Sequence, residues 1–186
     1  MIRFFLLLVI LGIVCSCYSQ RDTTKQVRIS WGGAQDVLPY ILKGYFISGW
    51  LGANKLRVRA SYANSTIPGF YLTEGIEMDQ VNAGGISIEH FIKDNFKGLW
   101  FGPGIGYWVN SFETVNRVKG QNNSFVFSLG GGYNITLWKR LYASPWVALH
   151  TRFTGVSEKK YGDSKYVPAR FTPEVSFKLG WKFGNL

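Results

Sequence analysis

The stretch FTPEVSFKLGWKF at positions 171–183 decides the fold of this chain. Its odd-numbered residues are apolar, and its even-numbered residues are small or polar. A period of two gives a β-strand one apolar face and one polar face. The stretch is longer than most strands of soluble proteins and fits a tilted strand that crosses a bilayer. Aromatic residues stand at both ends of its apolar face, where two membrane interfaces would lie. We therefore expect a membrane-spanning strand here.

The N-terminus has the pattern of a targeting segment. Arg3 precedes an apolar run at 4–14 that is too short to cross a membrane, and small residues follow. We favour cleavage between Ser19 and Gln20, so that 1–19 is a signal peptide and 20–186 is a single barrel domain. A second interpretation stays open, because the stretch VCSC at 14–17 resembles a lipoprotein box in which Cys17 carries the lipid.

Composition narrows the classes of function. Both cysteines lie in the expected signal peptide, which excludes a disulfide framework and a cysteine metal site from the mature chain. No later apolar run is long enough for a transmembrane helix. The net charge of +10 is scattered along the chain. We therefore expect a basic surface that faces lipid phosphates, and no nucleic-acid partner.

The same alternation recurs along the chain and predicts eight strands, at 25–31, 44–51, 55–62, 81–92, 98–110, 124–137, 141–153 and 171–183. The connections alternate between short turns and long loops, the long ones at 32–43, 63–80, 111–123 and 154–170. This asymmetry is typical of a bacterial outer-membrane barrel and places the long loops outside the cell. The exact start of strand one and a short helix within 34–43 stay open. Pro103 and Pro145 fall inside strands, and each predicts a local bulge or bend.

The charge of Lys178 indicates which face of its strand points inward. Lys178 on the lipid face would cost about 2–4 kcal/mol at the bilayer midplane, so it points into the lumen and its apolar neighbours face lipid. Extending this parity predicts a luminal charge network: Arg28, Arg57, Arg59, Arg152, Glu174 and Lys178, with Glu89. It also places Trp100, Trp108, Tyr142 and Trp146 inside, opposite glycines. We expect these side chains to fill the interior, and Glu174 to pair with Arg152, Arg28 or both.

The whole mature chain resembles the small eight-stranded OmpA/OmpX-like outer-membrane barrels. The resemblance rests on the signal peptide, the alternating strands, the loop asymmetry and the aromatic end of the last strand. The stretches GLWFGPGIGYW at 98–108 and GGGYN at 130–134 are similar to strands of such barrels from Bacteroidetes-type bacteria. The resemblance implies an all-β, antiparallel, up-and-down transmembrane barrel. One departure is that GNL at 184–186 follows Phe183, where many such barrels end on the aromatic residue.

Catalytic and ligand-binding signals are sparse. Some small barrels modify lipids with a His and a Ser two residues later, but Thr151 and Arg152 follow His150, so this motif fails. We interpret His150 as a hydrogen-bonded luminal residue and His90 as an interfacial one, with no metal between them. The loop at 154–170 carries cations that could contact lipopolysaccharide phosphates: Lys159, Lys160, Lys165 and Arg170. A solvated loop is the competing interpretation.

These patterns predict a monomeric, non-enzymatic barrel in the bacterial outer membrane, without cofactor, that is structural or acts through its extracellular loops. Its partners would be outer-membrane lipid, lipopolysaccharide and the barrel-assembly machinery. Two alternatives stay open. One is a barrel enzyme that modifies lipid A or phospholipid with His150 as base. The other is a soluble, secreted, lipocalin-like barrel with its aromatic faces inside. A passive channel is disfavoured by the crowded lumen.

Overall fold

The computed structural model describes residues 29–162 and 164–184 and shows a closed antiparallel β-barrel. The wall contains eight strands: β1 Ile29–Asp36, β2 Tyr45–Ala53, β3 Leu56–Thr66, β4 Ile76–Phe91, β5 Gly98–Thr114, β6 Lys119–Trp138, β7 Leu141–Arg152 and β10 Phe171–Gly184. Each pairs with its sequence neighbour in the wall, and β1 closes the barrel against β10. A small hairpin, β8 Lys159–Tyr161 and β9 Ser164–Tyr166, lies between β7 and β10. The predicted fold class is confirmed.

Alternation along the strands separates an apolar outside from a polar inside. On β10 the outward Val175 is 72% exposed, while the inward Lys178 is 5% exposed. On β3 the outward Val58 is 48% exposed and the inward Arg57 is 1% exposed. The large exposed apolar side chains therefore form a belt around the barrel, as lipid contact requires. Among the described residues, no helix is long and apolar enough to span a membrane.

Several predicted boundaries are wrong. The expected loop at 111–123 is largely strand, because β5 runs to Thr114 and β6 begins at Lys119. The expected loop at 63–80 is likewise shortened by β3 and β4. The inner faces of these extensions bury residues such as Phe112 and Asn122, which gives them a reason to continue above the membrane. The signal peptide, Cys17, Arg28 and the start of strand one lie outside the described residues.

The upper end of β1 leaves a gap in the wall. β1 stops at Asp36, whose partner on β10 is Lys178. The rest of β10, from Phe171 to Phe177, pairs with β7 only. Helix α1, Val37–Ile41, occupies the space between this upper part of β10 and β2. The region 34–43, for which a short helix was left open, therefore does contain one. The wall is therefore completed here by a short helix and not by a strand.

Neither proline produces the bulge that was one of its two expected distortions. The β4–β5 register is the same on both sides of Pro103, and the β6–β7 register is the same on both sides of Pro145. At each proline the pairing with that neighbouring strand is interrupted, but the register does not change. Each proline stays paired on its other side, Pro103 with Leu129 and Pro145 with Phe177. The ring removes one donor, and one ladder tolerates that loss. The register shifts lie elsewhere, between Ile76 and Met78 and between Thr136 and Trp138.

Replacing Gly102 by alanine should weaken the barrel beside Pro103. A Cβ on Gly102 would stand 1.7 Å from the carbonyl oxygen of Ile88, so β4 and β5 must separate to admit it. We expect a loss of about 1–3 kcal/mol of unfolding free energy, measured by urea titration in lipid vesicles. The control is Gly49→Ala, where the nearest atom stands 3.9 Å from the new Cβ. Equal stability of the two variants would contradict the close approach.

Candidate functional site in the barrel lumen

Three charged side chains occupy the half of the lumen near the short turns. Arg57 and Glu89 are direct partners on β3 and β4. Arg57 Nε donates to one carboxylate oxygen of Glu89, and Arg59 Nε donates to the other at 2.8 Å. Arg59 also donates to Ser48 Oγ at 2.8 Å. All three charged side chains are almost completely buried. This triplet carries two positive charges and one negative charge. The excess positive charge is buried, so it needs further partners that compensate it.

Aromatic rings supply the remaining partners of Arg57. Its guanidinium carbon lies 4.7 Å from the ring centroid of Phe91 and 5.0 Å from that of Trp50. Phe96 and Tyr142 stand slightly farther away. The two terminal nitrogens of Arg57 have no hydrogen-bond partner among the described residues, so the ring faces compensate its charge instead. Together with the Arg57–Arg59–Glu89 triplet, these rings fill the inner end of the barrel; we call the whole group the plug.

Lys178 and Asp36 stand next to the plug, towards the outside. The Lys178 ammonium lies 3.4 Å from the centroid of the Trp146 ring. Trp146 Nε1 donates to Asp36 at 2.7 Å, and the Ser176 hydroxyl donates to the other oxygen of the same carboxylate. Asp36 also caps α1 by accepting from the backbone N–H of Leu38. The Asp36 carboxylate therefore contacts both the luminal network and the helix that completes the wall.

The outer half of the lumen contains a Ser–His–Glu chain. Ser128 on β6 lies directly opposite His150 on β7, and the distance from Ser128 Oγ to His150 Nδ1 is 2.7 Å. His150 Nε2 lies 2.9 Å from Glu174 Oε2 on β10. A carboxylate can only accept, so Nε2 carries the proton and Nδ1 accepts from the serine hydroxyl. The ring of Trp108 lies 5.2 Å from the His150 ring and restrains its orientation.

The predicted pairing of Glu174 with Arg152 is wrong. Glu174 pairs with His150, whereas Arg152 stacks on Trp108 with its guanidinium carbon 5.1 Å from the ring centroid. The second expected partner, Arg28, lies outside the described residues. Arg152 is 5% exposed, and its Nε has no hydrogen-bond partner among the described residues. Its positive charge acts on Asp79 and Tyr166, above the chain of hydrogen bonds.

The wall facing Ser128 and His150 has small side chains. The inward positions of β3, β4 and β5 at this level, apart from Trp108, are small: Ser61, Ala63, Ala83, Gly85, Ser87, Gly104 and Gly106. These residues, like Ser128 and Glu174, are partly exposed to solvent. Above them the inward side chains are buried again, among them Asn110, Asn122 and Arg152. The lumen therefore has space between the plug and this upper layer, which we call the chamber.

The β8–β9 hairpin covers the inner faces of the extended strands above the chamber. The ring of Tyr166 stacks on Phe112 with centroids 3.9 Å apart, and its hydroxyl donates to Asp79 at 2.9 Å. Burial raises the pKa of the Tyr166 phenol above its ordinary value, and the Asp79 carboxylate raises it further. A raised pKa means that this contact loses stability as the pH rises past about 10, the ordinary tyrosine value.

Replacing Tyr166 by phenylalanine should loosen this hairpin. The variant loses a hydrogen bond to a carboxylate, worth about 1.5–3 kcal/mol. Trypsin should then cut at Lys159 and Lys160 about tenfold faster or more, because local opening limits cleavage. Tyr161→Phe is the matched control, since the Tyr161 hydroxyl makes only an exposed 3.3 Å bond to a backbone oxygen. Unchanged cleavage of the Tyr166 variant would mean that stacking alone holds the hairpin.

The cations predicted to contact lipopolysaccharide lie on and beside the hairpin. Lys159, Lys160, Lys165 and Arg170 are all exposed. Lys165 pairs with Glu158 at 3.1 Å. His90 faces outward near the inner end of β4, with its ring 5.4 Å from that of Phe101. Among the described residues, no three His, Cys, Asp or Glu side chains form a group that could hold a metal ion.

Sequence reasoning missed Ser128. Ser128 has no motif around it, because its partners come from two other strands. The signal that could have identified it is the β6–β7 register, which places it opposite His150. That register follows from the turn at 139–140 and the shift beside it, and neither can be read from the alternation alone.

The barrel is similar in fold to a solved structure described as the crystal structure of a major outer membrane protein from Thermus thermophilus. The TM-score is 0.53 and the sequence identity is 12%, and the match covers 86% of this chain and 100% of that one. At this identity the similarity shows the fold alone. No protein-family model matches the chain, and no curated protein matches it.

Proposed function

We propose that this protein is an integral barrel of the bacterial outer membrane that is closed to flux and acts at its extracellular side. The plug is the observation that carries this proposal. It fills the periplasmic end with buried ion pairs and aromatic rings, and buried side chains beneath the β8–β9 hairpin also close the lumen above the chamber. The exposed apolar belt supports membrane insertion and disfavours the lipocalin-like alternative, which needs the opposite arrangement of faces.

The extracellular side offers an ordered surface for contacts. The β8–β9 hairpin presents Lys159, Lys160 and Lys165, and Arg170 lies beside it. Exposed lysine and arginine side chains bind phosphate groups, so lipopolysaccharide is the partner that this surface favours. A structural role, or loop contacts of this kind, does not require catalysis. The monomeric barrel would reach the membrane through the barrel-assembly machinery.

The test combines folding and conductance. The full-length chain is expressed in a Gram-negative host, and outer membranes are run on SDS gels with and without boiling. A folded membrane barrel resists SDS until heated, so we expect a mobility shift. The purified protein is then placed in planar bilayers, where we expect no steady conductance. A soluble periplasmic product, or a stable open channel, would refute the proposal.

Lipopolysaccharide contact is tested separately. A variant with Lys159, Lys160, Lys165 and Arg170 all changed to alanine should bind lipopolysaccharide micelles more weakly than wild type, and the difference should shrink in high salt. The control changes four exposed cations at the opposite end of the barrel: Lys93, Lys97, Lys139 and Arg140. Equal loss of binding in both variants would point to net charge and not to the hairpin.

A further inference from the structure

We propose that Ser128, His150 and Glu174 form a hydrolytic centre that cleaves acyl esters in the chamber. This activity goes beyond the proposed function and rests on it only in requiring an inserted barrel. The sequence left a lipid-modifying enzyme open on His150 alone. The structure adds a hydroxyl and a carboxylate at hydrogen-bond distance on its two ring nitrogens.

The hydrogen bonds have the direction that nucleophilic catalysis needs. Glu174 accepts from His150 Nε2, which fixes the ring tautomer and leaves the Nδ1 lone pair facing the Ser128 hydroxyl. A serine hydroxyl becomes a nucleophile when an adjacent base can take its proton. The roles of the two ring nitrogens are exchanged relative to the usual serine hydrolase arrangement, but the ring transfers a proton equally from either side. Glu174 is the positioning residue of the three.

Space and charge beside Ser128 fit a reacting ester. Gly104 lies directly opposite Ser128 on β5, and Gly130 follows two residues along its own strand on the same face. Neither has a side chain that would block attack. Arg152 lies two residues beyond His150 on the same face of β7, so its positive charge can stabilise the oxyanion that forms. The backbone N–H groups of paired strands are already used, so a side chain must provide this stabilisation.

The lining of the chamber indicates the class of substrate. The small, uncharged residues opposite Ser128 leave room for a slim hydrocarbon chain and offer it no charged partner. The plug closes the periplasmic route. Along the upper part of β10 the wall is completed by α1 and not by a paired strand, and Glu174 and Ser176 lie on the inward face of that same part of β10. A lipid chain would enter the lumen at this break in the strand ladder. These observations point to an acyl ester of a lipid in the outer leaflet.

The reaction proceeds in two balanced steps. Ser128 Oγ attacks the ester carbonyl carbon while its proton passes to His150 Nδ1. The carbon–oxygen bond to the alcohol then breaks, and the alcohol leaves with that proton, which produces an acyl-Ser128 ester. Water gives a proton to His150 and attacks this ester. The fatty acid leaves, and the proton returns to Ser128 Oγ.

Covalent labelling tests the centre directly. A fluorophosphonate probe is added to the full-length protein in lipid vesicles, and mass spectrometry locates the adduct. We expect labelling at Ser128, its loss in Ser128→Ala, and its retention in the control Ser87→Ala, another inward serine two strands away. An unlabelled wild type, or equal labelling of the Ser128 variant, would overturn the proposal.

Two further variants separate catalysis from a structural hydrogen-bond chain. His150→Asn should slow labelling about a thousandfold, and Glu174→Gln about a hundredfold with an altered pH profile. Both should keep the heat-induced mobility shift of wild type. Normal labelling rates in both variants would assign the chain a structural role only. A folded, non-conducting barrel without labelling would refute this inference while leaving the proposed function intact.

The substrate class has its own test. Release of fatty acid is measured from phospholipid vesicles and from a short water-soluble ester. We expect release from the vesicles, abolished by Ser128→Ala. Hydrolysis of the soluble ester alone would overturn lateral access from the lipid leaflet.

Discussion

Replacing Glu89 by glutamine should cost about 3–5 kcal/mol of unfolding free energy, because two buried cations lose their shared counter-charge. Glu89 is 1% exposed, and it accepts from both Arg57 and Arg59. Glutamine keeps the shape of the side chain but removes its negative charge, so two guanidinium groups stay buried without a counter-charge. Urea titration in lipid vesicles, followed by tryptophan fluorescence, measures the loss.

The control is Glu158→Gln on the β8–β9 hairpin. Glu158 pairs with Lys165 at 3.1 Å, but both side chains are about half exposed. An exposed pair contributes about 0–1 kcal/mol, so this variant should stay near wild type. Adding Arg57→Leu to Glu89→Gln should recover part of the loss, because it removes one uncompensated cation. A Glu89 variant as stable as the Glu158 variant would mean that solvent reaches the plug.

Replacing Val175 by arginine should destabilise the inserted barrel by about 2–4 kcal/mol. Val175 lies in the central part of the lipid-facing surface of β10 and is 72% exposed. An arginine there would place its charge against hydrocarbon. The same titration in vesicles gives the loss, and it should shrink in thinner bilayers, where the side chain reaches the interface more easily.

Val115→Arg is the matched control. Val115 is 59% exposed and lies in the turn between β5 and β6, above the apolar belt. The substitution is identical but its surroundings are aqueous, so stability should change by no more than about 0.5 kcal/mol. If both variants were equally destabilised, the apolar belt would not be in contact with lipid.

The alternation of residue types is enough to predict the barrel and the direction of its side chains. The energetic argument that turns Lys178 inward can be repeated on each strand. It then also turns Arg57, Arg59 and Trp146 inward, because a strand has only two faces. Partners across strands cannot be predicted in the same way. They depend on the register, and a shift of two residues changes every partner while keeping every face. For this reason the sequence suggests Arg152 as the partner of Glu174, although Glu174 contacts His150.

Strand ends are harder to predict than strand centres. Membrane-facing alternation stops at the interface, but β5 and β6 continue because the β8–β9 hairpin covers their inner faces. That cover depends on Phe112 and Tyr166, which are far apart in sequence. The end of β1 at Asp36 depends in turn on the capping bond to Leu38 and on Trp146. Contacts between distant parts of the chain decide these boundaries.

The closing seam of the barrel also sets the order in which the chain can fold. β1 meets β10 only between Ser30–Asp36 and Lys178–Gly184, and these residues lie at opposite ends of the sequence. Bringing such distant segments together carries the largest loop-closure entropy in the molecule. Closure therefore cannot precede synthesis of β10. Until then β1 keeps one unpaired edge that can join other chains.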